Sequence, residues 1–284
     1  MKQFVFKILG YLALTFIILE LFCSIMVQDV TLSHKLGIKP VFLGQLSILN
    51  RTKESFVSDT VHIGDSVARQ IFQGRSNTFT SHAGILAEGN YILLKNIIRQ
   101  NPQLKVVLYG VTPTTLSFQF DESITSLNYI KPYQTIYNFR DLDMHSVKHM
   151  LRKPLSLIYL FNAGKYLPMS DIDFKVEKTY RKNLSQHSFI YIMKMMDLCK
   201  KHKIEFVMYC PPINQRRVEV TNNFQEVKGR VFKTRLEPLF NKYFKTVIVM
   251  ADKYFRDGQH FKNPIIRKER KTVQNSILKK IKES

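Results

Sequence analysis

Three short apolar runs frame this chain: Thr60–Ile63, Leu104–Tyr109 and Ile204–Cys210. Each is closed by turn-forming residues, Gly64-Asp65, Gly110 and Pro211-Pro212. Leu104–Tyr109 carries a continuous β-branched and aromatic run, the pattern of a strand buried on both faces. Asn77–Ser81 and Thr246–Met250 read as two further strands. Between the strands lie segments with helical apolar spacing. They are Val67–Phe72, Ala87–Gln100 (with Tyr91, Leu94, Ile97 and Ile98 on one face), Ser185–Lys203 and Lys228–Tyr243, interrupted near Pro238. A last helix starts at about Ile265. Strands alternating with helices predict an α/β fold, a three-layer α/β/α sandwich on a central, mostly parallel five-stranded sheet.

The N-terminus is of a different kind. Ile8–Val27 reads ILGYLALTFIILELFCSIMV, about the length that crosses a bilayer as a helix. Lys2 and Lys7 precede it, so the positive-inside rule puts the N-terminus in the cytoplasm and the body of the protein outside. Glu20 lies toward the outer end of the run, where a carboxylate costs less than at the bilayer centre. No small-residue cleavage site follows the run, and Phe22 stands where a lipoprotein signal needs a small residue before Cys23. The predicted organisation is a transmembrane anchor over 1–28, a stem over 29–58 and one α/β domain over 59–284. Within that domain, 117–183 is rich in Tyr, Phe and Lys, lacks a strand–helix rhythm, and reads as an insertion or cap.

Hydrophobic residues make up 45% of the 284, enough for a packed core of that size. The net charge of +21 favours an acidic environment: nucleic acid, anionic headgroups or an anionic envelope polymer. Zinc-finger spacing, an RNA-recognition signature and a heptad-bearing basic region are all missing, and the outward topology opposes nucleic acid as partner. Arg267–Lys271 and Lys279–Lys282 read as the solvated face of a terminal helix. The three cysteines are odd in number and form no CxxC, so Cys199 and Cys210 read as buried free thiols, with no metal site or disulfide framework.

In parallel sheets, function gathers at the carboxyl ends of strands. Ser66, Gly84, Thr112, Pro211 and Asp257 each fall just after a predicted strand. A serine hydroxyl becomes a nucleophile when a base removes its proton. Histidine suits that task near neutral pH, and a carboxylate orients the imidazole. Ser66 on a strand-to-helix turn, with Asp257 and His260 in YFRDGQHF, supplies all three in the order Ser, Asp, His. The structural reading of the same residues is a helix-capping serine and a surface histidine.

HIGDSV resembles the first signature block of the SGNH/GDSL hydrolases, and DGQHF resembles their last, D-x-x-H, block. The resemblance runs from about 59 to 284 and implies an SGNH/flavodoxin-like sheet. It further implies catalytic Ser66, Asp257 and His260, with Gly84 of SHAGILAEG donating to an oxyanion hole. Thr112 of YGVTP stands where the family has an oxyanion asparagine, a departure that leaves Thr112 as an auxiliary donor. The chain looks most like the membrane-anchored branches, similar to DltD-like and alginate-acetylation proteins. That implies an extracytoplasmic serine esterase or O-acyltransferase acting on an acylated envelope polymer or carbohydrate, without metal or organic cofactor. The rival reading is an inactive domain that binds an anionic polymer or partners a membrane acyltransferase.

Other residues weigh less. Asp65 reads as structural. His62 and His82 read as packing residues, and His145 and His149 as exposed, since no glutamate completes a metal-binding pattern between them. Glu88 opens a helix, where a carboxylate suits the dipole.

Overall fold

The computed structural model describes residues 2–28, 48, 51, 52, 54–73, 77–79, 87–117, 184–216 and 218–284. The chain divides into two compact units, Met1–Ser47 with Glu122–Lys175, and Ile48–Asp121 with Val176–Ser284. In the first, the described residues form one helix, α1 (Lys2–Gln28). Its Gln3–Phe22 stretch has mean hydropathy 2.1 and is long and apolar enough to cross a membrane. Its 27 residues span about 40 Å at 1.5 Å per residue.

The second unit is a mixed α/β fold. Its elements are β1 (Thr60–Gly64), α2 (Ser66–Phe72), α3 (Ala87–Gln100), β2 (Val106–Gly110), α4 (Pro113–Ser117), α5 (Gln186–Lys201), β3 (Glu205–Tyr209) and β4 (Ile213–Asn214). Then follow α6 (Val218–Val231), α7 (Glu237–Lys245), β5 (Val249–Met250), a 3-10 turn (Asp252–Tyr254) and α8 (Asn263–Glu283). The strands β1, β2 and β3 form a parallel sheet in that order, with Gly64, Gly110 and Tyr209 level at its carboxyl edge.

A single five-stranded sheet does not form among the described residues. Of the segment expected as a strand at 77–81, Thr78 makes one parallel bridge with His62. The His62 N–H donates to the Asn77 carbonyl and Phe79 N–H donates to the His62 carbonyl, on the edge of β1 away from β2. The run expected at 246–250 narrows to β5, which pairs with β4 in a separate two-stranded parallel sheet. The cause lies at the end of β3. Cys210 N–H is taken by the Thr246 hydroxyl at 2.9 Å, and Pro211 and Pro212 have no N–H to offer a neighbouring strand. Pairing resumes only at Ile213. The helix expected over 228–243 is two helices: α6 starts ten residues earlier, the chain breaks before Pro238, and Pro238 sits in the first turn of α7, where a missing N–H does no harm. Residues 118–183, most of the expected insertion, lie outside the described residues, as does most of 29–58.

Side-chain alternation explains why helices cover both faces. Leu108 and Tyr209 face one side, in a core with Val67, Ala68, Ile71 and Phe72 of α2, Phe255, Phe261, and Ile266, Val273 and Ile277 of α8. Tyr109 faces the other, where it stacks on Phe206 and lies within hydrogen-bonding reach of Asn90 of α3. Asn90 Oδ1 also accepts from Gly64 N–H at 3.2 Å. Ser185 caps α5, its hydroxyl accepting from Ser188 N–H. Cys199 and Cys210 are buried and free, and burial pushes both thiols up to about 12.

Candidate active site

The turn after β1 is shaped by a glycine and an aspartate. Gly64 has φ +149°, and a Cβ there would collide with the Gly110 carbonyl oxygen. That close approach lets Asp65 N–H donate to the same carbonyl at 3.0 Å. Asp65, not Ser66, is the N-cap of α2: its Oδ1 accepts from Val67 and Ala68 N–H, both at 3.0 Å. Its Oδ2 accepts from Thr112 N–H at 2.8 Å and from the Thr115 hydroxyl at 2.9 Å. Asp65 is buried and its carboxylate is filled by four donors, so its role is to fix the turn to the end of β2.

Because Asp65 caps the helix, the Ser66 hydroxyl is left for another partner. Ser66 Oγ lies 2.8 Å from His260 Nε2. His260 Nδ1 lies 2.9 Å from Asp257 Oδ2. A carboxylate only accepts, so in the neutral ring Nδ1 carries the hydrogen and Nε2 accepts from Ser66. Asp257 Oδ1 accepts from His260 N–H at 2.7 Å and Gln259 N–H at 3.0 Å. Burial alone would raise the Asp257 carboxyl. The hydrogen bond and charge of the His260 ring, with the two backbone N–H groups, outweigh it and hold the group well below the usual carboxylate range.

The loop that carries Asp257 and His260 is a closed turn. Phe255 and Phe261 bridge in antiparallel fashion and stack with centroids 4.9 Å apart. Arg256 N–H donates to the His260 carbonyl at 2.7 Å. Gly258, at φ +83°, supplies the left-handed residue that the turn needs. Gln70, one helical turn beyond Ser66, clamps this loop to α2. Its Oε1 accepts from Phe261 N–H at 3.0 Å and its Nε2 donates to the Phe261 carbonyl at 3.3 Å. Gln274 of α8 donates to the Ile71 carbonyl at 2.6 Å. Nothing in the local sequence pattern marks Gln70 or Gln274 as site-forming.

Thr112 follows β2 as expected, but its hydroxyl is engaged. The Thr115 hydroxyl spends its hydrogen on Asp65. The 3.0 Å contact between the two threonine hydroxyls is therefore donated by Thr112. With that hydrogen used, Thr112 Oγ1 only accepts, from Thr115 N–H and from Gln259 Nε2, each at 3.3 Å. Gln259 was not singled out by sequence. Ser66 N–H, in contrast, makes no hydrogen bond among the described residues.

His62 is buried and stacked on Phe72 with centroids 4.1 Å apart, in line with a packing role. Pro211 is buried just beyond β3. Gly84, His82, His145 and His149 lie outside the described residues, and of Glu88 only the backbone, in the first turn of α3, is described. Among the described residues no group of three His, Cys, Asp or Glu side chains is placed to hold a metal ion. No protein-family model, no curated protein and no solved structure matches the chain.

The depressed carboxyl makes a thermodynamic prediction. An unfolded aspartate titrates at about 3.9, above the folded Asp257. Its stabilising contribution is thus complete above the unfolded value and is lost as pH falls through the lower folded one. Urea unfolding of wild type and Asp257→Asn should show a stability gap that narrows steadily as pH falls below about 4. A gap that instead widens toward acid would mean that Asp257 is not held ionised.

Proposed function

We propose that this chain is a serine esterase or O-acyltransferase of the SGNH kind, in which Ser66 forms an acyl-enzyme. The observation that carries the reading is the unbroken relay Ser66 Oγ, His260 Nε2, His260 Nδ1, Asp257 Oδ2, with links of 2.8 and 2.9 Å. Each member has the partner its task requires. Ser66 is not a helix cap, His260 presents an accepting nitrogen to it, and Asp257 stays charged to stabilise the imidazolium. Asp257 does not itself take the proton.

The chemistry proceeds in two halves. His260 Nε2 takes the Ser66 proton as Oγ attacks the carbonyl carbon of an ester. The carbonyl electron pair moves onto oxygen, near the unpaired Ser66 N–H. When the pair returns, the ester bond breaks and the departing alcohol takes the proton from His260. Water or a sugar hydroxyl then repeats the cycle on the acyl-enzyme. The SGNH resemblance adds Gly84 as an oxyanion donor.

The envelope setting rests on α1 and on charge. Lys2 and Lys7 flank the apolar stretch, which argues for a cytoplasmic N-terminus and an extracytoplasmic domain. On α8, Arg267, Lys268, Lys271, Lys279, Lys280 and Lys282 are all exposed, a surface suited to anionic headgroups or an acidic polymer. An acylated envelope polymer or carbohydrate is therefore the substrate class we favour. Protease applied to intact cells should digest the domain; a body that resists until the membrane is opened would reverse the topology.

For the relay, the test is turnover of 4-nitrophenyl acetate by full-length chain in detergent. Ser66→Ala and His260→Ala should each remove nearly all activity, about 10⁴-fold or more, and the double variant should be scarcely worse, because the two perform one step together. Asp257→Asn should cost less than or as much as either. Thermal melts should show all of them folded. Full activity in Ser66→Ala would end the serine mechanism. A folded wild type inert toward every acyl donor would favour a binding domain.

A further inference from the structure

The asparagine that the SGNH resemblance calls for is a threonine here, and that threonine has no hydrogen to give. Thr112 Oγ1 donates to Thr115 and accepts from Gln259 Nε2 at 3.3 Å. This arrangement decides the orientation of the Gln259 amide: an oxygen that can only accept must face the nitrogen. One N–H of that nitrogen is then held by Thr112. The second N–H and the Oε1 atom make no hydrogen bond to any described residue. The backbone of Gln259 is fixed as well, its N–H donating to Asp257 Oδ1 at 3.0 Å. The side chain is half-buried. It bridges from the His260 loop to the end of β2, the two elements tied respectively to Ser66 and Asp65.

We propose that the second N–H of the Gln259 side chain is an oxyanion donor, replacing the asparagine amide from a different strand end. The inference rests on the serine-esterase reading above. As Ser66 Oγ bonds to the acyl carbon and its proton passes to His260, the carbonyl pair becomes an oxyanion. That oxygen accepts from Ser66 N–H and from Gln259 Nε2–H. Thr112 is then a positioning residue: it fixes the amide with the nitrogen inward and never touches the substrate. The arrangement also ties the donor to the base, since Gln259 and His260 are consecutive and share Asp257 Oδ1 as acceptor.

The test uses full-length chain in detergent, 4-nitrophenyl acetate as substrate and phenylboronic acid as a tetrahedral, oxyanion-bearing inhibitor. Gln259→Met keeps the length and removes the N–H. It should lower kcat by about 10²-fold, the usual loss for one oxyanion donor, with KM changed by no more than about threefold. Phenylboronic acid should weaken by a factor that parallels the fall in kcat/KM, which a merely structural role would not produce. Thr112→Val should lower kcat by a smaller factor, add nothing in the Gln259→Met background, and be rescued by Thr112→Ser. If Gln259→Met keeps kcat and boronate affinity within about twofold of wild type while Ser66→Ala is dead, Gln259 is not a donor and the serine reading stands. If wild-type turnover does not depend on Ser66, both fall together.

Discussion

The buried Asp65 carboxylate holds the turn after β1 against the segment that follows β2. It takes two N–H groups from the start of α2, the Thr112 N–H just after β2 and the Thr115 hydroxyl of α4, so one buried side chain joins the segments that follow β1 and β2. A buried carboxylate is tolerable only when its lone pairs are filled, and here four donors fill them. By capping α2 it also releases Ser66 from that duty. Asp257 repeats the logic on the other side: two backbone N–H groups and the imidazole occupy it and keep it charged, and the exposed Arg256 guanidinium also donates to its Oδ2 at 3.2 Å. Two aspartates thus divide the work. One sets the position of the Ser66 hydroxyl and the other sets the tautomer of His260.

What brings the two halves together is packing on one face of the sheet. Helix α2 buries Ile71 and Phe72 in the same core as Phe255, Phe261 and the inner face of α8. Apolar burial sets the distance between α2 and the loop, but it is non-directional. Direction comes from amides. The Gln70 clamp on Phe261 fixes where residue 260 falls relative to residue 66, and Gln274 anchors the far end of α2 to α8. The contacts of 2.8 and 2.9 Å that link Ser66, His260 and Asp257 depend on these amide clamps.

The elements with strong local signals were legible in the sequence. Ala87–Gln100 has the predicted bounds, and the apolar runs near 60, 106 and 205 are the three sheet strands. Ser66, Asp257 and His260 could be paired from residue type and order alone, since each stands after a strand in a recognisable block. The remainder was set by tertiary contacts that leave no periodicity. β4 and β5 are two residues each, too short for a pattern, and their pairing follows from how Thr246 and the two prolines close the end of β3. Gln70 and Gln259 act across 191 and 147 positions, and one polar residue in a local window does not announce such a partner. Thr112 was legible as a position but not as a chemistry: whether its hydroxyl donates depends on where Thr115 sends its own hydrogen.

In the proposed mechanism His260 makes Ser66 Oγ a nucleophile. Reaction of the folded, full-length chain with a fluorophosphonate, followed by peptide mass spectrometry, reads out that activation at the serine itself. A single phosphonylated residue, Ser66, is expected, with labelling abolished in His260→Ala although the hydroxyl is still present. Labelling of Ser66 at an undiminished rate in His260→Ala, or no labelling of a folded wild-type protein, would contradict it.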